Sequence, residues 1–319
     1  MNHFQRYLTD EFAEDYQEGR LSRRDALKLI ASVTGSLIAA NSILAACTPI
    51  ADSAQAGIDT PAATQPPPAD PTSTALQPSP SVSYGTVAPD DPAVIAQEVE
   101  IPSDTPPLTG YLARPSSEGN SPVVLVCHEN RGLTPHIQDV TRRLAKAGYA
   151  ALAVDLLSRQ GGSAAVGEGN VPGILGNIQP EQFVADFLAG WRYFQGQAFA
   201  QAGRVGMTGF CFGGGVTWLV AARMPELRAA VPYYGPHPPL DEVPNIQAAV
   251  LAIYGELDGR INGGIPAIEE AMLADNKVFE KLIYPNADHA FHNDTGSRYN
   301  AEAARDAWTQ TLAWFDKYL

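Results

Sequence analysis

The sequence has few cysteines, and none of them belongs to a metal-binding pair. Cys47, Cys127 and Cys211 are the only cysteines among 319 residues, and no Cys-x-x-Cys motif occurs. This spacing argues against a structural zinc site and against a disulfide framework. We therefore predict no metal and no other cofactor. A disulfide between Cys127 and Cys211 stays open as an alternative.

Basic residues are also scarce relative to acidic ones. The chain has 21 lysines and arginines against 35 aspartates and glutamates, a formal net charge of -14. Such a surface is repelled by nucleic acid phosphates and by anionic lipids. We expect no nucleic-acid partner, a monomer, and a small molecule as the ligand. The hydrophobic content of 45% is sufficient for a sizeable core.

The N-terminus has the pattern of an export segment. An arginine pair, Arg23 and Arg24, precedes an uncharged run over residues 29–46 that ends in Ala-Ala before Cys47. This layout is typical of a twin-arginine signal followed by a lipoprotein cleavage site. We predict that residues 1–46 are a signal segment outside the fold and that Cys47 carries a lipid on the outer side of the cytoplasmic membrane. An uncleaved transmembrane anchor is the alternative.

Residues 47–90 are rich in Pro, Ala, Ser and Thr and contain few large apolar side chains. Such a composition cannot bury enough apolar surface to fold, so it predicts a disordered tether. The catalytic body is then residues 91–319, and the membrane is reached only through the N-terminal anchor.

Strand-like and helix-like patterns alternate from residue 91 onward. Residues 94–101 and 108–113 read as an antiparallel pair, and the apolar run 122–127 reads as a strand buried on both faces. Residues 161–176 read as a glycine-rich loop. The alternation predicts an α/β fold with a mostly parallel central sheet and helices on both faces.

A possible nucleophile lies in residues 207–215, Met-Thr-Gly-Phe-Cys-Phe-Gly-Gly-Gly. A Gly-x-Cys-x-Gly-Gly turn between a strand and a helix resembles a nucleophile elbow, in which small neighbours let the helix pass close to the strand. The helix N-terminus then favours a thiolate at Cys211. The alternative is a glycine-rich turn with a buried structural cysteine.

Two further polar residues follow predicted strands. Asp258 and His289 come after the last two strands, and the carboxyl ends of parallel strands meet at one edge of a sheet. The chain order nucleophile, acid, histidine predicts a Cys211–Asp258–His289 triad. His136 and His292, in contrast, are expected at the surface.

The loop after the first central strand contains Glu129 and Asn130. In this architecture an oxyanion hole combines the backbone N–H after the nucleophile with one from this loop, which indicates Phe212 and Asn130. Glu129 would then lie close to Cys211. The alternative is a surface glutamate.

These residues together resemble the dienelactone hydrolases over roughly residues 94–319. The marks of the resemblance are Glu129 with residues 130–132, residues 155–156, 209–214 and 233–235, Asp258, and residues 289–291. The resemblance implies an α/β-hydrolase fold and the triad above, and it implies that Glu129 holds the thiol proton in the resting enzyme.

The chain departs from that family at its arginines. The best-known members clamp a substrate carboxylate with two arginines, whereas this chain has Asn293 at one position and no arginine in residues 161–182. Arg159, Arg131 and Arg298 are the nearest substitutes. We expect hydrolysis of a carboxylic ester or lactone through a thioacyl-enzyme. The alternative is a non-catalytic, ligand-binding exported lipoprotein on the same fold.

Overall fold

An eight-stranded sheet forms the centre of the protein in a computed structural model that describes residues 1–47, 85–103 and 106–319. The strands are β1 (Val94–Ile101), β2 (Leu108–Pro115), β3 (Ser121–Cys127), β4 (Ala150–Val154), β5 (Ala200–Phe210), β6 (Ala229–Tyr233), β7 (Ala249–Gly255) and β8 (Phe279–Tyr284). Their order across the sheet is β1-β2-β4-β3-β5-β6-β7-β8.

The sheet is antiparallel at one edge and parallel elsewhere. β1 pairs with β2 and β2 with β4 in antiparallel register, and the remaining neighbours are parallel. The five residues of β4, the five of β6 and the seven of β7 are all buried, which explains their unbroken apolar sequences. The predicted α/β fold and its opening antiparallel pair are confirmed.

Helices cover the sheet. They are α1 (His3–Gln17), α2 (Arg23–Thr34), α3 (Leu37–Ala46), α4 (Pro135–Lys146), α5 (Ser163–Val166), α6 (Val171–Asn177), α7 (Pro180–Gln195), α8 (Phe212–Arg223), α9 (Gly259–Asn262), α10 (Ile265–Ala274) and α11 (Ala301–Tyr318). Because the crossovers of a parallel sheet bring all β-strand carboxyl ends to one edge, the loops after β3, β5, β7 and β8 can form one site.

The N-terminal helices pack onto the body of the protein, in contrast to the expectation that residues 1–46 lie outside the fold. The side chains of Phe4 and Leu8 on α1 and of Ile30 and Val33 on α2 are at most 1% exposed. Spacings of three and four residues place apolar side chains on one face of a helix, and that face needs a surface to cover it. The export role of residues 1–46 stays a prediction.

The segment predicted as a glycine-rich loop, residues 161–176, instead contains α5 and most of α6. Its glycines permit a close approach of α2: a Cβ added at Gly173 would lie 2.7 Å from the Cβ of Ser32. The loop prediction was wrong because this segment is ordered by packing against α2, a contact between distant parts of the chain.

Within the described residues, no helix combines the length and the apolar character needed to cross a membrane. The predicted tether, residues 47–90, lies largely outside the described residues.

Candidate active site

The elbow between β5 and α8 holds Cys211 in a strained conformation. Its backbone angles are φ 60° and ψ −120°, a region that side-chain-bearing residues rarely adopt. The neighbouring positions must be glycine because a side chain there would clash with the backbone. A Cβ at Gly209 would lie 2.2 Å from the Gly213 oxygen, and one at Gly214 would lie 2.3 Å from the Tyr233 oxygen. The sequence pattern therefore produces the predicted sharp turn, and Cys211 is the N-cap residue directly before α8.

His289 and Asp258 are paired beside the elbow. Nδ1 of His289 lies 2.6 Å from Oδ2 of Asp258 and donates to it, while Oδ1 of Asp258 accepts the backbone N–H of Ile261 at 3.2 Å. With Nδ1 protonated, Nε2 is left as the basic nitrogen. The Sγ atom of Cys211 and a ring nitrogen of His289 lie within 4.8 Å of each other. The three residues predicted to act together are thus neighbours.

Burial and charge set the protonation of this group. Burial favours the neutral forms of both Asp258 and His289, but their mutual attraction outweighs it, so the pKa of Asp258 is lowered and that of His289 is raised well above its usual range. Burial raises the pKa of the Cys211 thiol, and the nearby Glu11 carboxylate raises it further, against the opposing effect of His289. Burial and the Glu11 carboxylate thus both disfavour the thiolate form of Cys211 in this arrangement.

Glu129 is buried in the site and is no surface glutamate, with 5% of its surface exposed. Its Oε2 accepts a hydrogen bond of 2.8 Å from the side-chain amide of Asn293. Among the described residues no hydrogen bond joins Glu129 to Cys211. Asn293 thus occupies the position of an expected arginine and holds the carboxylate.

The two backbone N–H groups predicted as an oxyanion hole are at the same edge of the sheet. Phe212 is the first residue of α8, and Asn130 follows the end of β3 by three residues. Within the described part of the chain, neither N–H donates to a protein acceptor. Both are therefore candidates for binding a substrate oxygen.

Helix α1 contributes two residues that sequence reasoning missed. The hydroxyl of Tyr7 lies 3.2 Å from Sγ of Cys211 and 3.5 Å from Nε2 of His289. The Glu11 carboxylate lies 3.7 and 3.8 Å from the same Sγ, and its Oε1 accepts a 3.1 Å hydrogen bond from Nδ2 of Asn130. The sequence signal for these contacts was the amphipathic spacing of α1. Such spacing indicates that a helix packs on another surface, but it does not identify that surface.

A cavity of about 360 Å³ opens beside Cys211 and His289. Its charged lining consists of four carboxylates and two guanidinium groups: Glu11, Asp15, Glu129, Glu168, Arg131 and Arg298. Two of the expected substitute arginines therefore line the cavity, but carboxylates outnumber them. Arg159 lines a different surface groove, where it forms a bidentate pair with Asp186 at 2.8 and 2.9 Å.

The two histidines expected at the surface are buried, and that prediction was wrong. His136 is 4% exposed, and its Nδ1 lies 3.0 Å from Oδ1 of Asp294. His292 is fully buried and stacks on Phe210 with ring centroids 5.0 Å apart. His136 lies on α4 and His292 in the loop after β8, and aromatic side chains of β5, β6 and α11 pack against His292. Burial of these rings thus depends on tertiary packing.

One group of described residues has the spacing of metal ligands, Glu11, Cys211 and His289, whose ligand atoms lie within 4.8 Å of one another. Two of these groups bond other protein groups in the structure. The Tyr7 hydroxyl contacts Sγ of Cys211 and Nε2 of His289, and Asp258 bonds Nδ1 of His289.

Comparisons with known proteins show which family the chain resembles. The family model described as "Dienelactone hydrolase family" matches residues 108–319. A Methylorubrum extorquens protein assigned as a carboxymethylenebutenolidase is 37% identical over 246 residues, which cover 73% of this chain and 84% of that protein. An Escherichia coli K12 protein with the same assignment is 36% identical over 248 residues, covering 72% and 89%.

Solved structures show the same relationship. A Klebsiella pneumoniae protein assigned as a dienelactone hydrolase has a TM-score of 0.66 and 35% identity, and the match covers 71% of this chain and all of that one. A dienelactone hydrolase-like promiscuous phosphotriesterase from metagenomic libraries has a TM-score of 0.62 and 26% identity, with 71% and 99% covered.

Proposed function

Because the chain belongs to the dienelactone hydrolase family and is a hydrolase, we propose that it cleaves a small carboxylic ester or lactone with Cys211 as the nucleophile. His289 acts as the general base and acid, and Asp258 fixes the His289 tautomer. The observation that carries the proposal is the 2.6 Å bond between Asp258 and His289, placed beside a cysteine on a strained elbow.

Acylation begins with transfer of the thiol proton to Nε2 of His289. The thiolate then adds to the substrate carbonyl, and the backbone N–H groups of Phe212 and Asn130 bind the resulting oxyanion. Each such donor typically contributes about 2.7–4 kcal/mol to the transition state. The imidazolium of His289 gives its proton to the leaving alkoxide oxygen as the carbon–oxygen bond breaks, which leaves a thioacyl-enzyme and a free alcohol.

Deacylation repeats these steps with water. His289 removes a proton from a water molecule, the hydroxide adds to the thioester, and collapse of the intermediate expels the Cys211 thiolate, which is reprotonated. A thiolate leaves more readily than an amine or a simple alkoxide, so tetrahedral intermediates from poor leaving groups revert. Lactones, enol esters, activated esters and thioesters are therefore the favoured substrates.

The charge of the cavity favours a neutral substrate. Its four carboxylates outnumber the guanidinium groups of Arg131 and Arg298, and Asp15 lies 3.9 Å from Arg298. The net negative charge of the cavity would therefore repel a substrate carboxylate. We therefore place a neutral ester or lactone ahead of the carboxylate-bearing substrates implied by the resemblance. The expected role of Glu129 as acceptor of the thiol proton stays a prediction.

Replacement of the nucleophile tests this proposal. Cys211→Ala is expected to abolish hydrolysis of p-nitrophenyl acetate and of a neutral five-membered lactone, whereas Cys127→Ala, a small buried residue outside the lining of the cavity, is expected to retain it. Mass spectrometry of a rapidly quenched reaction is expected to find the acyl group on Cys211. Unchanged turnover in Cys211→Ala would contradict the assignment.

Export stays a proposal that rests on the sequence of residues 1–46. Arg23 and Arg24 are exposed at the start of α2, where a translocation receptor can reach them. Replacing both by Lys is expected to retain the protein in the cytoplasmic fraction, and Cys47→Ala is expected to abolish labelling by a lipid precursor. Fractionation and labelling unaffected by these changes would contradict the export proposal.

A further inference from the structure

Helix α1 covers the reactive atoms with polar groups of its own. Tyr7 contacts both the thiol of Cys211 and Nε2 of His289, and Glu11 contacts the same thiol through both carboxylate oxygens. Only 4% of Cys211 is exposed. The hydrogen-bonding positions around the nucleophile are thus filled by groups of the same chain.

These contacts conflict with catalysis while α1 is in place. A substrate carbonyl must come within about 3–3.5 Å of the attacking sulfur. The Tyr7 oxygen already lies 3.2 Å from that sulfur, and it also faces the nitrogen that must take the thiol proton. The Glu11 bond to the Asn130 side chain ties the same helix to the proposed oxyanion loop.

The helix is seated firmly on the site. The ring of Phe4 packs against Phe183 and Phe212, with centroids 5.2 and 5.0 Å apart. The guanidinium of Arg260 stacks over the Tyr7 ring at 4.7 Å and bonds Glu14 at 2.9 Å. Edge contacts between aromatic rings and a cation over a ring add to the apolar burial.

We propose that Tyr7 and Glu11, here named the α1 clasp, hold Cys211 in a resting, protonated state, and that Cys211 reacts only after α1 leaves the site. Glu11 accepts the hydrogen bond of the thiol in the clasped state, and Tyr7 shields sulfur and imidazole from substrate. This inference rests on the proposed function and adds its regulation.

Release of the clasp starts the proton transfer of the proposed mechanism. The S–H bond of Cys211 breaks and its proton moves to Nε2 of His289, which leaves a thiolate at Cys211. Asp258 stabilises the resulting imidazolium through its bond to Nδ1. In the clasped state burial and then Glu11 raise the pKa of the thiol, so removal of the clasp favours the thiolate.

The reactivity of the thiol in the full-length protein tests the clasp without ester turnover. The rate of alkylation of Cys211 by iodoacetamide at pH 7 is followed by peptide mass spectrometry, which separates it from Cys47. The double variant Tyr7→Phe/Glu11→Gln is expected to react at least tenfold faster than wild type. The matched control is Tyr16→Phe/Glu18→Gln, which changes the last turn of α1 and the C-cap residue directly after it, and it is expected to react at the wild-type rate.

A second variant loosens the clasp without changing its polar atoms. Phe4→Ala removes the ring that seats α1 on Phe183 and Phe212, and it too is expected to accelerate alkylation, with a catalytic body that still unfolds cooperatively on heating. Alkylation no faster than wild type in both variants would overturn the clasp. Faster alkylation without any ester hydrolysis would support the clasp and contradict the proposed hydrolase.

A different observation concerns His128, a fully buried residue between β3 and the proposed oxyanion loop. Its Nδ1 donates a 2.7 Å hydrogen bond to the Glu129 carbonyl, and its Nε2 accepts one of 3.2 Å from the backbone N–H of Leu156. The carbonyl acceptor and the N–H donor together fix one neutral tautomer, and burial lowers the pKa of this imidazole.

The Glu129 carbonyl shares a peptide plane with the Asn130 N–H. The Glu129 carbonyl also accepts the backbone N–H of Gly132 at 3.2 Å, a longer bond than that from His128. In a trans peptide the carbonyl and the N–H point in opposite directions, so the bonds that orient the carbonyl also orient the Asn130 N–H. We infer that His128 is a positioning residue that aims the Asn130 N–H at the substrate oxygen. This second inference also rests on the proposed function.

A matched pair of substitutions separates positioning from general destabilisation. Glutamine can donate and accept at the two positions of the imidazole, whereas leucine can do neither. His128→Leu is expected to lower kcat for p-nitrophenyl acetate roughly tenfold or more with little change in KM, and His128→Gln to recover most of it. Alkylation of Cys211 is expected to be unchanged in both, because that reaction forms no oxyanion.

A crystal structure of His128→Leu reads the peptide orientation independently of turnover. The expected result is a Glu129–Asn130 peptide rotated from its wild-type orientation, and an unrotated peptide in His128→Gln. An unrotated peptide in His128→Leu, or a loss of alkylation equal to the loss of kcat, would overturn the positioning role.

Discussion

The side-chain amide of Asn293 donates a 2.8 Å hydrogen bond to Oε2 of Glu129, and both side chains are buried. A buried carboxylate that loses its donor costs the fold free energy, typically about 1–3 kcal/mol. Asn293→Leu is therefore expected to lower the free energy of unfolding in urea by that amount.

A double-mutant cycle isolates this bond, because Asn293 also accepts hydrogen bonds from Thr295. Glu129→Leu/Asn293→Leu is expected to lose less stability than the two single variants added together. Additive losses would show that the two residues stabilise the protein independently.

The bond between Asp258 and His289 makes a prediction about activity. Asp258→Asn is expected to lower kcat/KM for p-nitrophenyl acetate by roughly 10³–10⁴-fold, because an amide donor favours the wrong imidazole tautomer. Asp288→Asn is the matched control, since the Asp288 side chain bonds the backbone N–H of His289 and the guanidinium of Arg20, whereas Asp258 bonds the imidazole ring. Similar losses in both variants would count against a special role for Asp258.

Asp294 predicts a dependence of stability on pH. Hydrogen bonds from His136 and then from Arg143 lower the pKa of its carboxyl well below the usual range. A carboxyl with a lower pKa in the folded state stabilises the fold above its unfolded pKa, about 3.9, and loses this contribution as the pH falls towards its folded value.

Wild type is therefore expected to be more stable than Asp294→Asn at pH 5, with a difference that shrinks progressively below pH 4. Urea unfolding at several pH values measures it. Asp275→Asn, which changes an exposed carboxylate, is the control. A difference that persists undiminished to low pH would rule out this linkage.

The close packing of the elbow predicts that Gly214 cannot be replaced by a larger residue. Gly214→Ala places a Cβ 2.3 Å from the Tyr233 oxygen and 3.0 Å from the backbone of Gly235, so we expect it to cost more than about 4 kcal/mol or to prevent folding. Gly203→Ala lies on β5 with no atom within 4 Å of the added Cβ and is expected to be tolerated. Thermal unfolding compares the two, and equal melting temperatures would contradict the crowding at Gly214.

The charge of the cavity predicts a substrate preference. Glu168 is an exposed carboxylate on the cavity lining. Glu168→Gln is expected to lower KM for a carboxylate-bearing ester by about two- to fivefold and to leave KM for a neutral ester unchanged. Glu226→Gln, outside this cavity, is the control. Equal effects on both esters would argue against charge as the cause.

Much of the fold and of the site's framework could be predicted from local patterns. The apolar runs at β3, β4 and β7 identified a buried parallel sheet, and the glycines around Cys211 identified the elbow. Asp258 and His289 could be placed beside Cys211 because the carboxyl ends of parallel strands converge at one sheet edge. Each of these inferences needs only a short segment and a general rule of packing.

The contributions of Tyr7 and Glu11 could not be predicted in this way. Tyr7 and Glu11 lie some 200 residues before Cys211 in the chain. The arginine pair in the same segment, Arg23 and Arg24, suggested an export signal instead. The prediction that His136 and His292 lie at the surface failed for a related reason, because the elements that pack over a histidine decide whether it is buried. Local sequence reveals an apolar face but not its partner.

The position of the α1 clasp in the chain would give the proposed cleavage before Cys47 a second role. Tyr7 and Glu11 precede Cys47, so a signal peptidase that cuts before that cysteine would separate both side chains from the rest of the protein. The leader would then serve as an intramolecular inhibitor during synthesis, and its removal would convert a latent precursor into a reactive thiol hydrolase. Delivery and activation would become the same event.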